Sequence, residues 1–113
     1  MTKSEALDKL IAAVEMGESI WPGDLDGTGL NQHQTSFGIA YNGSLDAAIA
    51  LKSALVPKWF WRVTETVEGA TAELAEFVDK IDCKPIFTLK VYSLEDPARA
   101  LLIATLKAYR AGL

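Results

Sequence analysis

Residues 96–111 constrain the fold most, because they read as a helix from both ends and along one side. Asp96 is placed to cap free backbone N–H groups. Pro97 occupies the first helical position, where its missing N–H costs nothing. Leu102, Leu106 and Tyr109 form an apolar stripe, widened by Leu101 and Ile103. Lys107 and Arg110 fall near the negative end of the helix dipole. Such a stripe needs a surface to cover, and two upstream segments supply one. Trp59, Trp61 and Val63 alternate with Phe60, Arg62 and Thr64, which predicts a strand with one buried face. Phe87, Leu89 and Val91 share a face of a second strand over residues 86–92. Two strands alone are marginal in water, so helices must complete the core.

The remaining elements follow from caps and periodicity. Thr2 and Glu5 have capping-box spacing, and Leu7, Leu10, Ile11 and Val14 share one helical face. Gly17 suits the left-handed position that ends such a helix. Residues 18–36 read as a long loop punctuated by Pro22, Gly23, Gly27 and Gly29, followed by a polar run. Loops of that length are functional or mobile, so this one is the first place to look for a site. Phe37, Ile39 and Tyr41 alternate with smaller residues and predict a short strand. Ser44 then caps a helix through residue 55, with Asp46 in its first turn and Pro57 stopping it. Leu74, Phe77, Val78 and Ile81 have helical spacing behind Thr71, which predicts a helix over 71–81. A strand there would align Glu76 with Ala72, Leu74 and Val78, a poorer fit. In the Trp59-Phe60-Trp61 run the tryptophans are expected in the core, with Phe60 covered by a helix on the other face. The expectation is an α+β fold: a single domain over 1–113, layered helix–sheet–helix, with three or four helices on a two- or three-stranded sheet.

Three groups of residues are familiar in combination. They are Tyr41-Asn42-Gly43-Ser44-Leu45-Asp46-Ala47-Ala48, then Pro57-Lys58-Trp59-Phe60-Trp61, then Asp96-Pro97-Ala98-Arg99-Ala100-Leu101-Leu102. In this order they resemble the phage ABA-sandwich domain family, small phage and prophage proteins of uncharacterised function. The resemblance implies a phage origin and helix–sheet–helix layering. It implies no reaction.

Composition removes several function classes. The 113 residues carry a formal charge of −4, which argues against direct binding to nucleic acid, where phosphate neutralisation supplies the affinity. No stretch of about 18 residues is both apolar and free of charge, the uncharged run over 27–45 being polar and glycine-rich, so no membrane span is expected. The N-terminus lacks the pattern of a signal peptide, and the expected location is the cytoplasm. Cys83 is the single cysteine and His33 the single histidine, too few for a disulfide or an ordinary zinc or iron site. No cofactor is implied.

Four patterns remain as candidate sites. Asp24, Asp26 and Thr28 stand at positions 1, 3 and 5 of a calcium loop, with Gly29 at position 6. Thr35 stands where the bidentate Glu belongs, so an Asp/Gly-rich turn is the plainer reading. His33 with Asp24, Asp26 or Ser36 could form an acid–base set only if they meet within hydrogen-bond reach. Cys83 lies between Asp82 and Lys84, a weak environment for a thiolate. Glu65, Glu68, Glu73, Glu76, Asp79 and Asp82 crowd one region, and on a helix the middle ones would form an acidic face suited to a basic partner. These readings favour a small non-enzymatic protein that binds a host or phage protein. A nucleic-acid-binding complex is one candidate partner, with an anti-defence role of the anti-CRISPR kind. The alternative is a small ion-binding or enzymatic domain built on residues 24–36.

Overall fold

A computed structural model describes residues 2–77, 85–93 and 96–112; for 76, 77, 85–90, 92 and 93 it describes the backbone alone. The fold is α+β. Its helices are α1 (Lys3–Glu15), α2 (Gln34–Tyr41), α3 (Leu45–Leu55) and α4 (Pro97–Ala111). Its strands are β1 (Phe60–Thr66), β2 (Gly69–Phe77) and β3 (Pro85–Ser93), antiparallel in the order β1-β2-β3.

α1 begins at the expected capping box: the Thr2 hydroxyl accepts from the Glu5 N–H at 3.1 Å, and the Thr2 N–H donates back to the Glu5 carboxylate. Its buried face is Ala6, Leu7, Leu10, Ile11 and Val14. Gly17 follows with φ 72°, a conformation that glycine enters without steric cost. The chain then runs through two short 3-10 turns, Pro22–Leu25 and Asn31–His33, which bury Leu25 and Leu30 in the core. The expected loop is thus anchored at two points, and it ends at Gln34.

Two expectations exchange places. Residues 37–41, read as a strand, lie in α2. The alternation of Phe37 and Tyr41 is also an i, i+4 spacing, and on the helix their rings stack with centroids 6.2 Å apart. Ala40 is buried in the core, while Ile39 is half exposed. Residues 71–77, read as the start of a helix, lie in β2. A two-residue turn at Val67-Glu68 pairs Thr66 with Gly69, so the following chain folds back along β1. Ala70, Ala72 and Leu74 are buried and alternate with Thr71 and Glu73, the period of a strand with one covered face. Residues 78–81 of the predicted helix lie outside the described residues.

Opposed residues in an antiparallel ladder share a face. Val63, Ala72 and Val91 form one such row and Trp61 and Leu74 part of the next, on the side packed by α4. The small alanines of β2 let α4 approach the sheet. Its own buried residues run from Ala98 through Ala108, omitting only Arg99 and Lys107. Asp96 caps it by accepting from the Arg99 N–H at 2.6 Å. α4 touches every other helix and all three strands, and α1, α2 and α3 meet the sheet chiefly through it. Phe60 stands on the opposite face and is 61% exposed, and none of the described helices covers it as expected.

Candidate functional site

The β1–β2 hairpin carries the candidate surface. Two-residue turns close on a hydrogen-bonded pair, here Thr66 and Gly69. Bonded pairs then recur every second residue, so Phe60, Arg62, Thr64 and Thr66 turn their backbone groups toward β2. Trp61, Val63 and Glu65 turn theirs away from it. β1 is an edge strand, and no backbone bond to a described residue is made by Trp61, Val63 or Glu65 along that outer edge. Every β1 residue except Val63 is exposed, and Val63 is half-buried.

The two ends of this strand differ in chemistry. At its start, Trp59 is half-buried against the core, Phe60 is exposed and Trp61 is 42% exposed. At its end the Thr66 hydroxyl donates to the Gly69 carbonyl at 3.0 Å and accepts from the Glu68 N–H at 3.3 Å, which fixes the turn. Glu65, Val67 and Glu68 are exposed there. Glu65 and Glu68 line a recess of about 140 Å³ whose other wall is Asp96 and Pro97, the start of α4. Asp96 was legible in the sequence as a helix cap. Its place in this recess was not, because only the hairpin brings residue 65 beside residue 96.

The other acidic residues of the sequence cluster are dispersed. Glu73 lies on the face away from α4, where its carboxylate accepts from the Arg62 guanidinium at 2.6 Å. Glu76 stands in β2 opposite Phe87 in the register. Asp79, Asp82 and Cys83 lie outside the described residues. The acidic helical face expected from 73, 76 and 79 therefore does not form at Glu73 or Glu76, and the tip of the hairpin holds Glu65 and Glu68 instead.

Residues 18–42 build a second concavity of a different kind. A cleft of about 420 Å³ lies between the 19–25 stretch and α2, lined by Trp21, Gln34, Phe37 and Tyr41 among others. Trp21 is 71% exposed at its rim. The Tyr41 hydroxyl donates to the Glu18 carbonyl, and the Arg99 guanidinium lies 4.6 Å from the centre of the same ring. These contacts hold the tyrosine as structure.

The calcium-loop residues are engaged within their own turn. The Asp24 carboxylate accepts from the Trp21 N–H at 2.8 Å. The Thr28 hydroxyl is buried, donates to the Leu25 carbonyl and accepts from the Leu30 N–H at 3.1 Å. Asp26 is exposed beside them. No hydrogen bond joins His33 to Asp24, Asp26 or Ser36 among the described residues, and none of their His, Cys, Asp and Glu side chains forms a group of three suited to a metal ion. No described helix is long and apolar enough to cross a membrane.

The chain matches no protein-family model, curated protein or solved structure with which it was compared.

Proposed function

We propose that the protein acts by binding a protein partner at the β1–β2 hairpin rather than by turning over a substrate. One observation carries the reading: β1 is exposed at every residue but Val63 and joins an aromatic start to an acidic tip. Aromatic side chains supply large contact area, while the carboxylates of Glu65 and Glu68 attract and orient a basic partner over distances near the Debye length. The resemblance to phage proteins suggests a setting for this, in which the partner is a component of a host defence complex and the binding blocks it.

The test is capture from bacterial lysate at low and moderate salt, comparing the wild-type chain with the Glu65→Lys, Glu68→Lys double variant. The expected result is a discrete partner retained by the wild type, released as salt rises and lost from the variant. Equal capture by both chains would remove the hairpin as the interface. Substrate turnover by the purified protein, abolished by one substitution, would replace the binding reading with an enzymatic one.

A further inference from the structure

The outer edge of β1 offers more than an exposed surface, because it has unused hydrogen-bonding capacity at fixed spacing. Trp61, Val63 and Glu65 each direct an N–H and a C=O outward, about 6.6 Å apart along the strand. Proteins commonly blunt such an edge with proline, a bulge or an inward-pointing lysine. β1 has no proline and no register shift against β2, and its one cation, Arg62, is engaged on the outer face by Glu73.

Resting on the hairpin as the binding surface, we infer that β1 receives an extended segment of the partner as an added antiparallel strand, with a lysine or arginine of that segment in the recess between Glu65 and Asp96. The register follows from the ladder. A residue opposite Glu65 shares the face that α4 covers, which is the face of the recess lined by Glu65, Glu68, Asp96 and Pro97, and a lysine or arginine there is long enough to reach past Glu65 toward it. The residue two places later in the added strand stands opposite Val63, and the one four places later stands opposite Trp61. Both meet apolar side chains that are only partly covered. The segment is therefore basic–x–apolar–x–apolar, read from its N-terminus. Main-chain bonds hold it, and the alternating side chains select it.

Charge sets this occupant against a second copy of the chain. Antiparallel self-pairing centred on Val63 would put Glu65 opposite a tryptophan and Arg62 diagonal to its own copy. A shift that places Trp61 on Val63 would set Arg62 directly against Arg62. Neither arrangement brings a basic residue opposite Glu65, and each joins two chains of charge −4.

The test uses the whole protein and the labelled peptide acetyl-Thr-Lys-Thr-Val-Thr-Val-Thr-amide, followed by fluorescence anisotropy. Binding is expected, and changing the peptide lysine to glutamate should weaken it by about tenfold or more. Methylating the backbone nitrogens of Lys, Val and Val, which face β1, should abolish binding. Methylating those of the two central Thr residues, which face away, should leave it nearly unchanged. Val63→Pro removes an outward N–H that no ladder bond uses, so the fold tolerates it as an edge strand can, and it should lose the peptide. Equal binding of both methylated peptides, or no binding of the lysine peptide at millimolar concentration, would overturn strand addition. A concentration-dependent dimer abolished by Val63→Pro would assign the edge to a second copy instead. Lysate capture that Val63→Pro spares and Glu65→Lys, Glu68→Lys abolishes would leave the hairpin as the interface and reject only the added strand.

Discussion

The guanidinium of Arg62 meets the carboxylate of Glu73 at 2.6 Å across the β1–β2 ladder, on the face turned away from α4. The two residues form a directly opposed pair, the geometry in which cross-strand ion pairs contribute. Arg62 is largely solvated, so screening keeps the contribution small. A double-mutant cycle with Arg62→Ala and Glu73→Ala should return a coupling of about 0.2–1 kcal/mol that falls as salt is raised. Chemical denaturation at two salt concentrations measures it.

Gly29 has φ 82°, and a Cβ there would stand 2.8 Å from Lys3 Cε and 2.9 Å from the Tyr109 hydroxyl. Lys3 itself lies over the Tyr109 ring, its Nζ 5.1 Å from the centroid, so the side chains that would have to move join α1 to α4. Gly29→Ala should cost about 1–3 kcal/mol. Gly43 also has a positive φ, of 110°, but open space where its Cβ would go. Gly43→Ala therefore shows the backbone strain without the crowding, and Gly29→Ala should be the more harmful in thermal denaturation.

Leu102 and Leu106 are fully buried in α4, the helix on which every layer packs. Leu102→Ala should destabilise by about 2–5 kcal/mol, the range for a leucine removed from a core that cannot collapse around the void. Urea unfolding checks this, with an unchanged m-value expected if the loss is of packing alone.

Lys52 lies buried on α3, and desolvation holds its ammonium below the usual lysine range. The folded state therefore binds this proton less tightly than the unfolded state. Its contribution to stability is unfavourable below the folded pKa and improves as pH rises from there to the ordinary lysine value. Lys52→Met keeps the stem and removes the charge. It should be more stable than the wild type near neutral pH, with the advantage shrinking at alkaline pH in matched melts.

Much of this architecture was legible where the signal was local. The capping box at Thr2 and Glu5, the Ser44 cap, and the Asp96-Pro97 start each act within a few residues, and each appears where the sequence predicts it. The two misread segments are cases where a local pattern fits either period. Phe37 and Tyr41 are four apart, which suits a strand face and a helix face equally; packing of the segment against α3 and α4, with Phe37 and Ala40 buried, selects the helix. Thr71–Phe77 is rich in Ala, Glu and Leu, good helix formers, yet the turn at Val67-Glu68 delivers it to β1. Pairing with two strands outweighs its intrinsic propensity. The stricter signal is the Ala70, Ala72, Leu74 alternation, which begins before Thr71, the candidate helix cap.

The candidate site was legible only in part. Glu65 and Glu68 were visible as members of an acidic run. Their separation from Glu73, the open edge at Trp61, Val63 and Glu65, and the arrival of Asp96 all depend on a strand register that has no signature in the sequence.

The most direct measurement is amide hydrogen exchange, followed by NMR, with and without the lysine peptide. The N–H groups of Trp61, Val63 and Glu65 should exchange rapidly in the free protein and become protected together in the complex. Those of Arg62 and Thr64, already bonded to β2, should change far less. Protection gathered instead around Trp21, Gln34 and Tyr41, with the β1 edge left open, would move the working surface to the other cleft and contradict the account.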